Sequence, residues 1–330
     1  MNHTQRGVGL VELMIAMLIG LVLVAGLIGQ LMQVRAHLGQ TDRLASLVAG
    51  GSLGLAIISQ DVSLAGFWGR SFDPARIRIA PELSASADGA SRLTGADCGP
   101  ARSEPDTGTT RAYVFDLLRP IEHTDDSLGP ARHDCLRDIE SGTDILTIRR
   151  VYGSSTRGDQ LKPGRVYLYS GARTAGSDRL LIAPDTSPDD EARGAYWRYF
   201  PTVYFIRNHA RHPGDGIPTL CRKELVRGPA WRSECLVEGV ENLQLEFGID
   251  TDRNGAPNRY TDQPTSDELT QVSAVRIHLL LRSLSPQPGP ARAHSYQLGG
   301  KRIDTHDSYL RKLVSTTVTL PNPVRLRSLS

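Results

Sequence analysis

The N-terminal segment constrains this chain most, because it combines a membrane-length apolar run with a single acidic residue. Residues 13–28 carry no polar side chain. A helix over residues 8–29 would be about 33 Å long, which is enough to cross the ~30 Å hydrocarbon core of a bilayer. Arg6 precedes the run, which predicts a cytoplasmic N-terminus. No small-x-small cleavage site follows, so we expect a retained anchor rather than a cleaved secretory signal.

The acidic residue in this segment is Glu12. A carboxylate inside a membrane span is costly, so its presence indicates a function that requires a partner. Gly7, followed by Val11 and Glu12 at the head of an apolar helix, resembles the type IV prepilin (class III) signal. In that family a prepilin peptidase cuts after the glycine and methylates the new N-terminus. Most members begin the mature chain with Phe, whereas this chain has Val8.

The prepilin resemblance implies a role for each of these residues. Gly7 ends the leader, and Val8 becomes the methylated first residue of the mature chain. Glu12 pairs with the free α-ammonium group of a neighbouring subunit, which neutralises both charges in lipid and sets the stagger between helices.

The helical pattern continues beyond the apolar run. Its apolar residues are spaced mostly by three and four, which predicts an amphipathic helix: Leu44, Leu47, Val48, Leu55, Ile58, Val62 and Ala65. We expect glycines at positions 50, 51 and 54 to weaken this helix, since each costs up to ~1 kcal/mol against Ala. The predicted organisation is a leader at 1–7, an N-terminal helix at 8–69 and a head domain at 70–330. The helix is transmembrane over 8–29 and amphipathic over 30–66.

From about residue 70 the pattern changes to short runs with period two, broken by Gly, Pro, Asp and Ser, which predicts β-strands. The candidate strands are 112–118, 144–152, 165–170, 179–183, 197–207, 219–226, 236–249, 271–283 and 309–320. The polar stretches 71–110 and 184–195 are predicted loops. The fold class expected is α+β and pilin-like, with the long N-terminal helix packed on a β-rich, mainly antiparallel head.

Four stretches resemble the PilW class of minor pilins. Residues 59–69 resemble the helix-ending Asp-x-x-x-Ala-Gly-Phe/Tyr-x-Gly motif, and residues 236–255 with 272–283 resemble its paired strands. Residues 315–322 resemble the closing strand, with Pro321 where the family usually has Arg.

The PilW resemblance implies a minor pilin at or near the tip of a type IV pilus, priming assembly for twitching, adhesion or DNA uptake. The implied partners are the prepilin peptidase, other minor pilins, the major pilin and a tip adhesin. The implied location is the inner membrane, with a periplasmic head, and then the pilus tip at the cell surface. A J-type minor pseudopilin of type II secretion is the alternative.

The four cysteines, Cys98, Cys135, Cys221 and Cys235, are an even number without a Cys-x-x-Cys pair. This arrangement favours disulfides in an oxidising compartment over a zinc site. Cys221 and Cys235 flank a turn-like Arg-Gly-Pro-Ala-Trp stretch, which predicts a hairpin-type bridge and leaves Cys98 and Cys135 as the second pair. Free buried thiols are the alternative.

One loop has the spacing of a calcium ligand set. Asp250, Asp252 and Asn254 precede Gly255 in an Asp-x-Asp-x-Asn-Gly pattern, which places three oxygen side chains around Ca²⁺. The Glu that an EF-hand requires at its twelfth position is replaced by Thr261. A hairpin loop is the alternative, because Asn-Gly is a favoured turn dipeptide. Calcium is thus the one candidate cofactor that the sequence offers, and otherwise we expect none.

The composition argues against other classes of function. The formal net charge is only +2 and aromatic residues make up 6%, so no basic stripe indicates a specific nucleic-acid site. We find no Gly-rich phosphate-binding motif and expect no enzymatic activity. A membrane-anchored ligand-binding or enzymatic β-domain remains the rival from another class, and it would require a convergent polar cluster in a pocket.

Overall fold

The computed structural model describes residues 9–83, 98, 102–103, 110–111, 113–127, 135–171, 178–184 and 194–323. The predicted leader and Val8 therefore lie outside the described residues. The chain divides into two compact units, at residues 1–46 and 47–330. A single helix, α1 (Leu10–Ser63), supplies the described part of the first unit and the beginning of the second.

The N-terminal part of α1 has the composition of a membrane span. Residues Leu10–Gln30 have a mean hydropathy of 2.7, and none of this stretch is buried within the protein. Residues Asp42–Ser63 also pass the test of length and hydropathy, with a mean hydropathy of 1.3, but a third of that stretch is buried. The second stretch is therefore better described as the core helix of the head.

The second unit is rich in β-structure. Its strands are β1 (Arg78–Ile79), β2 (Arg102–Ser103), β3 (Thr110–Arg111), β4 (Ile121–Thr124), β5 (Ile145–Ile148), β6 (Val151–Thr156), β7 (Val166–Ser170), β8 (Arg179–Ile182), β9 (Ala195–Tyr199), β10 (Thr202–Arg207), β11 (Thr219–Val226), β12 (Ala230–Glu238), β13 (Val240–Ile249), β14 (Arg259–Thr261), β15 (Val272–Arg282), β16 (Arg292–Leu298), β17 (Lys301–Asp307) and β18 (Arg311–Thr319). A short helix, α2 (Ser266–Leu269), precedes β15 and begins with a capping box between Thr265 and Glu268.

The strands form three larger sheets and two hairpins. The sheet orders are β1-β8-β7-β9-β6, β12-β11-β10-β5-β4 and β14-β13-β15-β18, with β16-β17 and β2-β3 as two-stranded pairs. Within the described residues, the pairing of β1 with β8 is parallel and the remaining pairs are antiparallel. The predicted α+β class with a mainly antiparallel head is confirmed.

The main core lies where the second half of α1 packs against two of these sheets. Ile58, Val62 and Ala65 of the predicted stripe are fully buried there, whereas Leu44 and Val48 are exposed. The apolar partners come from β5, β10, β13 and β15 and include Leu146, Ile206, Leu243, Ile277 and Leu279. A second cluster, around Trp68, Phe115 and Tyr199, fills the space beneath the first sheet.

Glycines at positions 51 and 54 allow α1 to approach the sheets closely. A Cβ atom at Gly51 would lie 2.9 Å from Cγ2 of Val314 and 3.0 Å from Cδ1 of Leu281. At Gly54 it would lie 3.1 Å from Cδ1 of Leu279. We expected these glycines only to weaken the helix; instead, α1 is continuous and the missing side chains make room for the sheet.

Several strand predictions need correction. Residues 112–118 were expected to form a strand, but Tyr113–Phe115 form a 3₁₀ turn whose three side chains are buried. The predicted strand 236–249 is two strands, because Gly239 has a φ of +82° and its backbone turns between β12 and β13. A left-handed conformation of this kind favours glycine and ends the ladder.

Two further predicted strands also divide. The stretch 144–152 separates into β5 and β6, and 197–207 separates into β9 and β10, with the two halves in different sheets. In each case the chain crosses from one sheet to another while staying extended, so the period-two pattern continues without marking the change. The hairpin of β16 and β17 was not predicted, because its residues are mostly polar and exposed.

Candidate functional site: the N-terminal helix and the Asp61 cluster

Glu12 lies in the first turn of α1 and is exposed. Its Oε2 atom accepts a hydrogen bond from the backbone N–H of Gly9 at 3.3 Å. A carboxylate at this end of a helix is stabilised by the unpaired N–H groups and the helix dipole. The structure thus places Glu12 at the predicted head of the helix, and its pairing with another subunit stays a prediction.

The apolar side chains that follow Glu12 surround the helix on every side. The large apolar residues between Leu10 and Ile28 are all exposed within the single chain. A helix that is apolar all round is stable only inside a membrane or against other helices. This segment can therefore serve either in a bilayer or in a bundle of like helices.

Asp61 is the centre of a buried polar cluster near the other end of α1. Its Oδ1 accepts a hydrogen bond from Nη2 of Arg150 at 2.5 Å, and its Oδ2 accepts one from the hydroxyl of Tyr204 at 2.6 Å. The hydroxyl of Thr202 donates to Oδ2 at 3.3 Å. These four residues, which we call the Asp61 cluster, are buried and join α1 to β10 and to the β5–β6 connection.

The surroundings of the Asp61 cluster explain how a buried ion pair is tolerated. The guanidinium carbon of Arg150 lies 4.7 Å from the ring centroid of Phe200, which adds a cation–π contact. Burial and the neighbouring Asp61 carboxylate raise the pKa of Tyr204 well above its usual range, so its hydroxyl stays protonated as a donor. The cluster is a structural tie in which both carboxylate oxygens of Asp61 accept hydrogen bonds, while Nε of Arg150 is buried without a hydrogen-bond partner among the described residues.

The end of α1 is held by backbone and side-chain contacts from distant parts of the chain. Gly66, with a φ of +71°, donates its N–H to the carbonyl of Arg149 at 3.0 Å. Asn322 donates its side-chain amide to the carbonyls of Ser63 and Ala65 at 3.4 and 3.3 Å. The two bonds from Asn322 satisfy carbonyl groups that the end of a helix leaves without intrahelical partners. The sequence motif around Asp61 and Gly66 therefore terminates the helix and attaches it to the head.

The cysteines pair as the sequence predicts. Cys98 is bonded to Cys135, and Cys221 is bonded to Cys235. The second bridge joins directly opposed positions of β11 and β12. The described part of the chain contains no free cysteine, so the alternative of free buried thiols does not hold there.

The proposed calcium ligands lie in the loop between β13 and β14. Both carboxylate oxygens of Asp250 accept backbone N–H groups, from Asn254 and Gly255, each at 3.1 Å. Asp252 accepts from the Asn254 amide at 2.9 Å, and Asn254 Oδ1 accepts from Ala256 N–H at 2.8 Å. The loop therefore closes through its own hydrogen bonds, as the hairpin alternative requires. Calcium binding here stays a prediction.

A second cluster of acidic residues, which the sequence pattern does not indicate, lies elsewhere in the head. Asp125, Asp126 and Asp144 bring carboxylate oxygens within 4.8 Å of one another. Lys301 bonds to Asp126 and to the carbonyl of Gly142, and Asp144 accepts N–H bonds from Asp126 at 3.0 Å and Leu245 at 2.8 Å. Burial raises the pKa of Asp144 to about 7. These contacts tie the β16–β17 turn to the head.

A nucleophile-like motif also occurs in the chain without the structure that it needs. Residues 50–54 spell Gly-x-Ser-x-Gly, the spacing of a hydrolase elbow. That motif acts at a sharp strand-to-helix turn, whereas Ser52 lies in the middle of α1 with its side chain exposed. Ser52 therefore does not lie at a nucleophile elbow. The neighbouring glycines Gly51 and Gly54 instead allow α1 to pack closely against the sheets.

Comparisons with known proteins agree with this geometry. Residues 203–322 match the family model described as Type IV Pilus-assembly protein W, and residues 2–28 match the prokaryotic N-terminal methylation motif. These two matches support a type IV pilus minor pilin of the PilW type. The PilW match begins in β10 and ends at Asn322, the residue that caps α1. The methylation motif implies processing of this PilW-type pilin by a prepilin peptidase, membrane anchoring and interaction with pilus components.

The other comparisons add little to this identification. No curated protein sequence matches the PilW-type pilin. A solved structure, a type IV-like pilin from Thermus thermophilus, is similar over 84% of this chain and 96% of that chain, with a TM-score of 0.36 and 13% identity.

Sequence reasoning located Asp61 within the helix-ending motif but did not find its partners. Arg150 and Tyr204 are 89 and 143 residues away along the chain. A signal was nonetheless present. Arg149 and Arg150 lie together in the predicted strand 144–152, whose other residues are mostly apolar. Buried arginines require carboxylate or carbonyl partners. Asn322 ends the predicted closing strand, and nothing in the sequence pattern indicates its role as a helix cap.

Proposed function

We propose that this PilW-type pilin is incorporated at or near the tip of a type IV pilus and primes pilus assembly. The observation that carries the proposal is Glu12 at the head of a helix that is apolar on all sides. A lone helix of this kind needs lipid or other helices around it, and the carboxylate needs a cation once water is excluded. The α-ammonium group of a neighbouring mature subunit supplies that cation.

In this proposal the N-terminal helix mediates assembly, and the head domain is exposed at the pilus tip. Residues 10–30 enter the membrane with the N-terminus in the cytoplasm, and the head lies in the periplasm until assembly. The head then caps the helical bundle at the pilus tip and contacts other minor pilins, the major pilin and a tip adhesin. We infer a structural role rather than a catalytic one, since the buried carboxylates of Asp61 and Asp144 are held by hydrogen bonds from within the chain.

Replacing Glu12 tests the assembly step. We expect Glu12→Ala and Glu12→Gln to leave leader cleavage intact, because cleavage depends on the residues around Gly7. Both should reduce the amount of the protein in sheared pili, whereas Glu12→Asp, which keeps the charge, should retain part of it. Immunoblots of membrane and pilus fractions measure both steps. Normal incorporation of the Ala variant would show that Glu12 has no pairing role.

A deletion strain separates the pilus from the secretion alternative. Loss of surface pili and twitching with normal exoprotein secretion supports the proposed function. Lost secretion with normal pili would instead assign the chain to a type II secretion pseudopilus. Restoration of pili by the full-length gene, but not by a gene encoding Glu12→Ala, links the phenotype to assembly.

A further inference from the structure

The outer edge of β18 carries a row of backbone groups that have no backbone partner among the residues that the structure describes. The N–H of Leu320 donates to the carbonyl of Ser273, and the N–H of Ser283 donates to that of Leu310, each at 2.8 Å. The register between β15 and β18 is unbroken between these points. Because hydrogen-bonding direction alternates along an antiparallel strand, residues 311, 313, 315, 317 and 319 direct their N–H and C=O groups away from β15. Among the described residues, none of these outward groups has a backbone partner.

Most other sheet edges of the head are short, charged or irregular, whereas the β18 edge is long and regular. The edge strand β6 has six uncharged residues, but a register shift between Val151 and Ser155 interrupts its pairing with β9. The edge strands β1, β4 and β14 have two, four and three residues, and β12 carries the exposed charges Arg232 and Glu234. In contrast, β18 has nine residues, with charges only at Arg311 and Lys312. The following residues, Leu313–Thr319, are uncharged and rich in Val and Thr, which favour strands. Natural proteins normally shorten, charge or cover such an edge unless it pairs with something.

The direction of α1 excludes one class of occupant. Gly51 of α1 packs against Val314, and Ser63 and Ala65 meet Asn322, so the second half of α1 and β18 run in the same direction. Two copies paired antiparallel through β18 would therefore have antiparallel α1 helices. Subunits of one filament share a helix direction, so antiparallel self-pairing does not fit. The opposite edge of the same sheet, β14, is too short to cover nine residues in a head-to-tail contact.

We propose that the β18 edge binds a strand of a different pilin subunit whose N-terminal helix runs parallel to α1. This proposal rests on the proposed function, because it requires assembly with other pilins. Main-chain hydrogen bonds to the five outward residues supply the affinity, as in other cases of strand addition. The exposed ammonium group of Lys312 favours a partner strand with a carboxylate at that end. The residues that follow Lys312 in β18 are uncharged and include four with hydroxyl groups, so the rest of the partner strand can be uncharged. The added strand extends the β14-β13-β15-β18 sheet across the subunit boundary.

Photo-crosslinking in piliated cells identifies the occupant. The photoreactive residue p-benzoylphenylalanine replaces Ser315 at the edge or, as a control, Ala293 on the exposed strand β16 of the full-length protein. We expect an adduct from position 315 with another chain that mass spectrometry identifies as a processed pilin with its own N-terminal methylation motif. Position 293 should give little or none of it. An adduct with a second copy of this chain, with a protein outside the pilin class, or no adduct would overturn the proposal.

A proline at the edge tests the backbone bonds. Thr317→Pro removes one outward N–H and leaves the ladder to β15 intact, whereas Thr317→Val keeps the N–H and is the matched control. We expect the proline to lower the yield of the 315 adduct at least about tenfold, since a partner carbonyl is left unpaired. Thermal unfolding establishes that both variants are folded. Unchanged adduct yield with proline would contradict strand addition. Normal pili in Thr317→Pro cells, alongside the loss of pili on deletion, would sink this inference while leaving the proposed function in place.

Discussion

The guanidinium group of Arg150 donates a hydrogen bond of 2.5 Å to the carboxylate of Asp61, and both side chains are buried. Asp61 lies in the last turns of α1, whereas Arg150 lies just before β6. A buried ion pair seldom adds much net stability, but losing one partner leaves an uncompensated charge in the core. The pair therefore fixes where the helix ends relative to the strands of the head.

Removing Asp61 should destabilise the head strongly. We expect Asp61→Asn to lower the free energy of unfolding by about 3–5 kcal/mol, because Arg150 then remains buried without a counter-ion. Urea unfolding of the full chain in detergent, followed by tryptophan fluorescence, measures this change. Asp159→Asn removes one side of the exposed Arg157–Asp159 pair and should change the free energy by less than about 0.5 kcal/mol. Equal effects of the two variants would show that the buried pair has no special role.

A side chain at Gly51 should disturb the contact between α1 and the sheet. The added Cβ of Gly51→Ala approaches Val314 and Leu281 within 3.0 Å. Overpacking of this kind costs about 1–3 kcal/mol, which outweighs the gain of up to ~1 kcal/mol from replacing Gly in a helix. We expect a lower unfolding free energy, measured as above, and a larger loss with Gly51→Val. Gly20→Ala, where a Cβ meets nothing within 4 Å, should leave the unfolding of the head unchanged.

The buried carboxyl of Asp144 should make the stability of the head depend on pH. Burial raises the pKa of Asp144 from its ordinary value of 3.8 to about 7. Between about pH 4 and pH 7 the native protein therefore holds a proton that the unfolded chain releases, and the free energy of unfolding falls as pH rises through that window. Relative to Asp144→Asn, the native sequence should lose roughly 2–4 kcal/mol between pH 4 and pH 7.5. Parallel pH profiles for the two proteins would refute the assignment.

The loop at Asp250–Gly255 should keep its shape without an ion, as we propose from its internal hydrogen bonds. We expect the unfolding temperature to change by less than about 1 °C between buffers with calcium and with a chelator. A rise of several degrees with calcium, abolished by Asp252→Asn, would instead support the calcium site, since a ligand that binds only the native state raises its stability.

Local patterns in the sequence were sufficient for part of this fold. The three-and-four spacing predicted the buried positions Ile58 and Val62 of α1 and Ala65 just beyond its end. The alternation in 271–283 predicted β15 within one residue at each end. Both elements are long and bury one continuous face. Local patterns predict such elements correctly because tertiary packing favours the same helix or strand that the pattern favours.

Features that depend on distant contacts were not predictable in the same way. The turn at Gly239 and the sheet changes after Ile148 and Phe200 are set by which sheet each strand joins, and the alternation of side chains continues through them. The partners of Asp61 and the capping role of Asn322 join residues far apart in the chain. Asp144 is similar, since its neighbours come from the loop before β5 and from β13.

The N-terminal mass of the protein tests the central claim most directly. The measurement compares protein from the membranes of cells with and without the prepilin peptidase. We predict a chain that begins at methylated Val8 only when the peptidase is present, and an uncleaved chain beginning at the leader when it is absent. A chain that begins at Met1 in both strains would contradict assignment to the prepilin class.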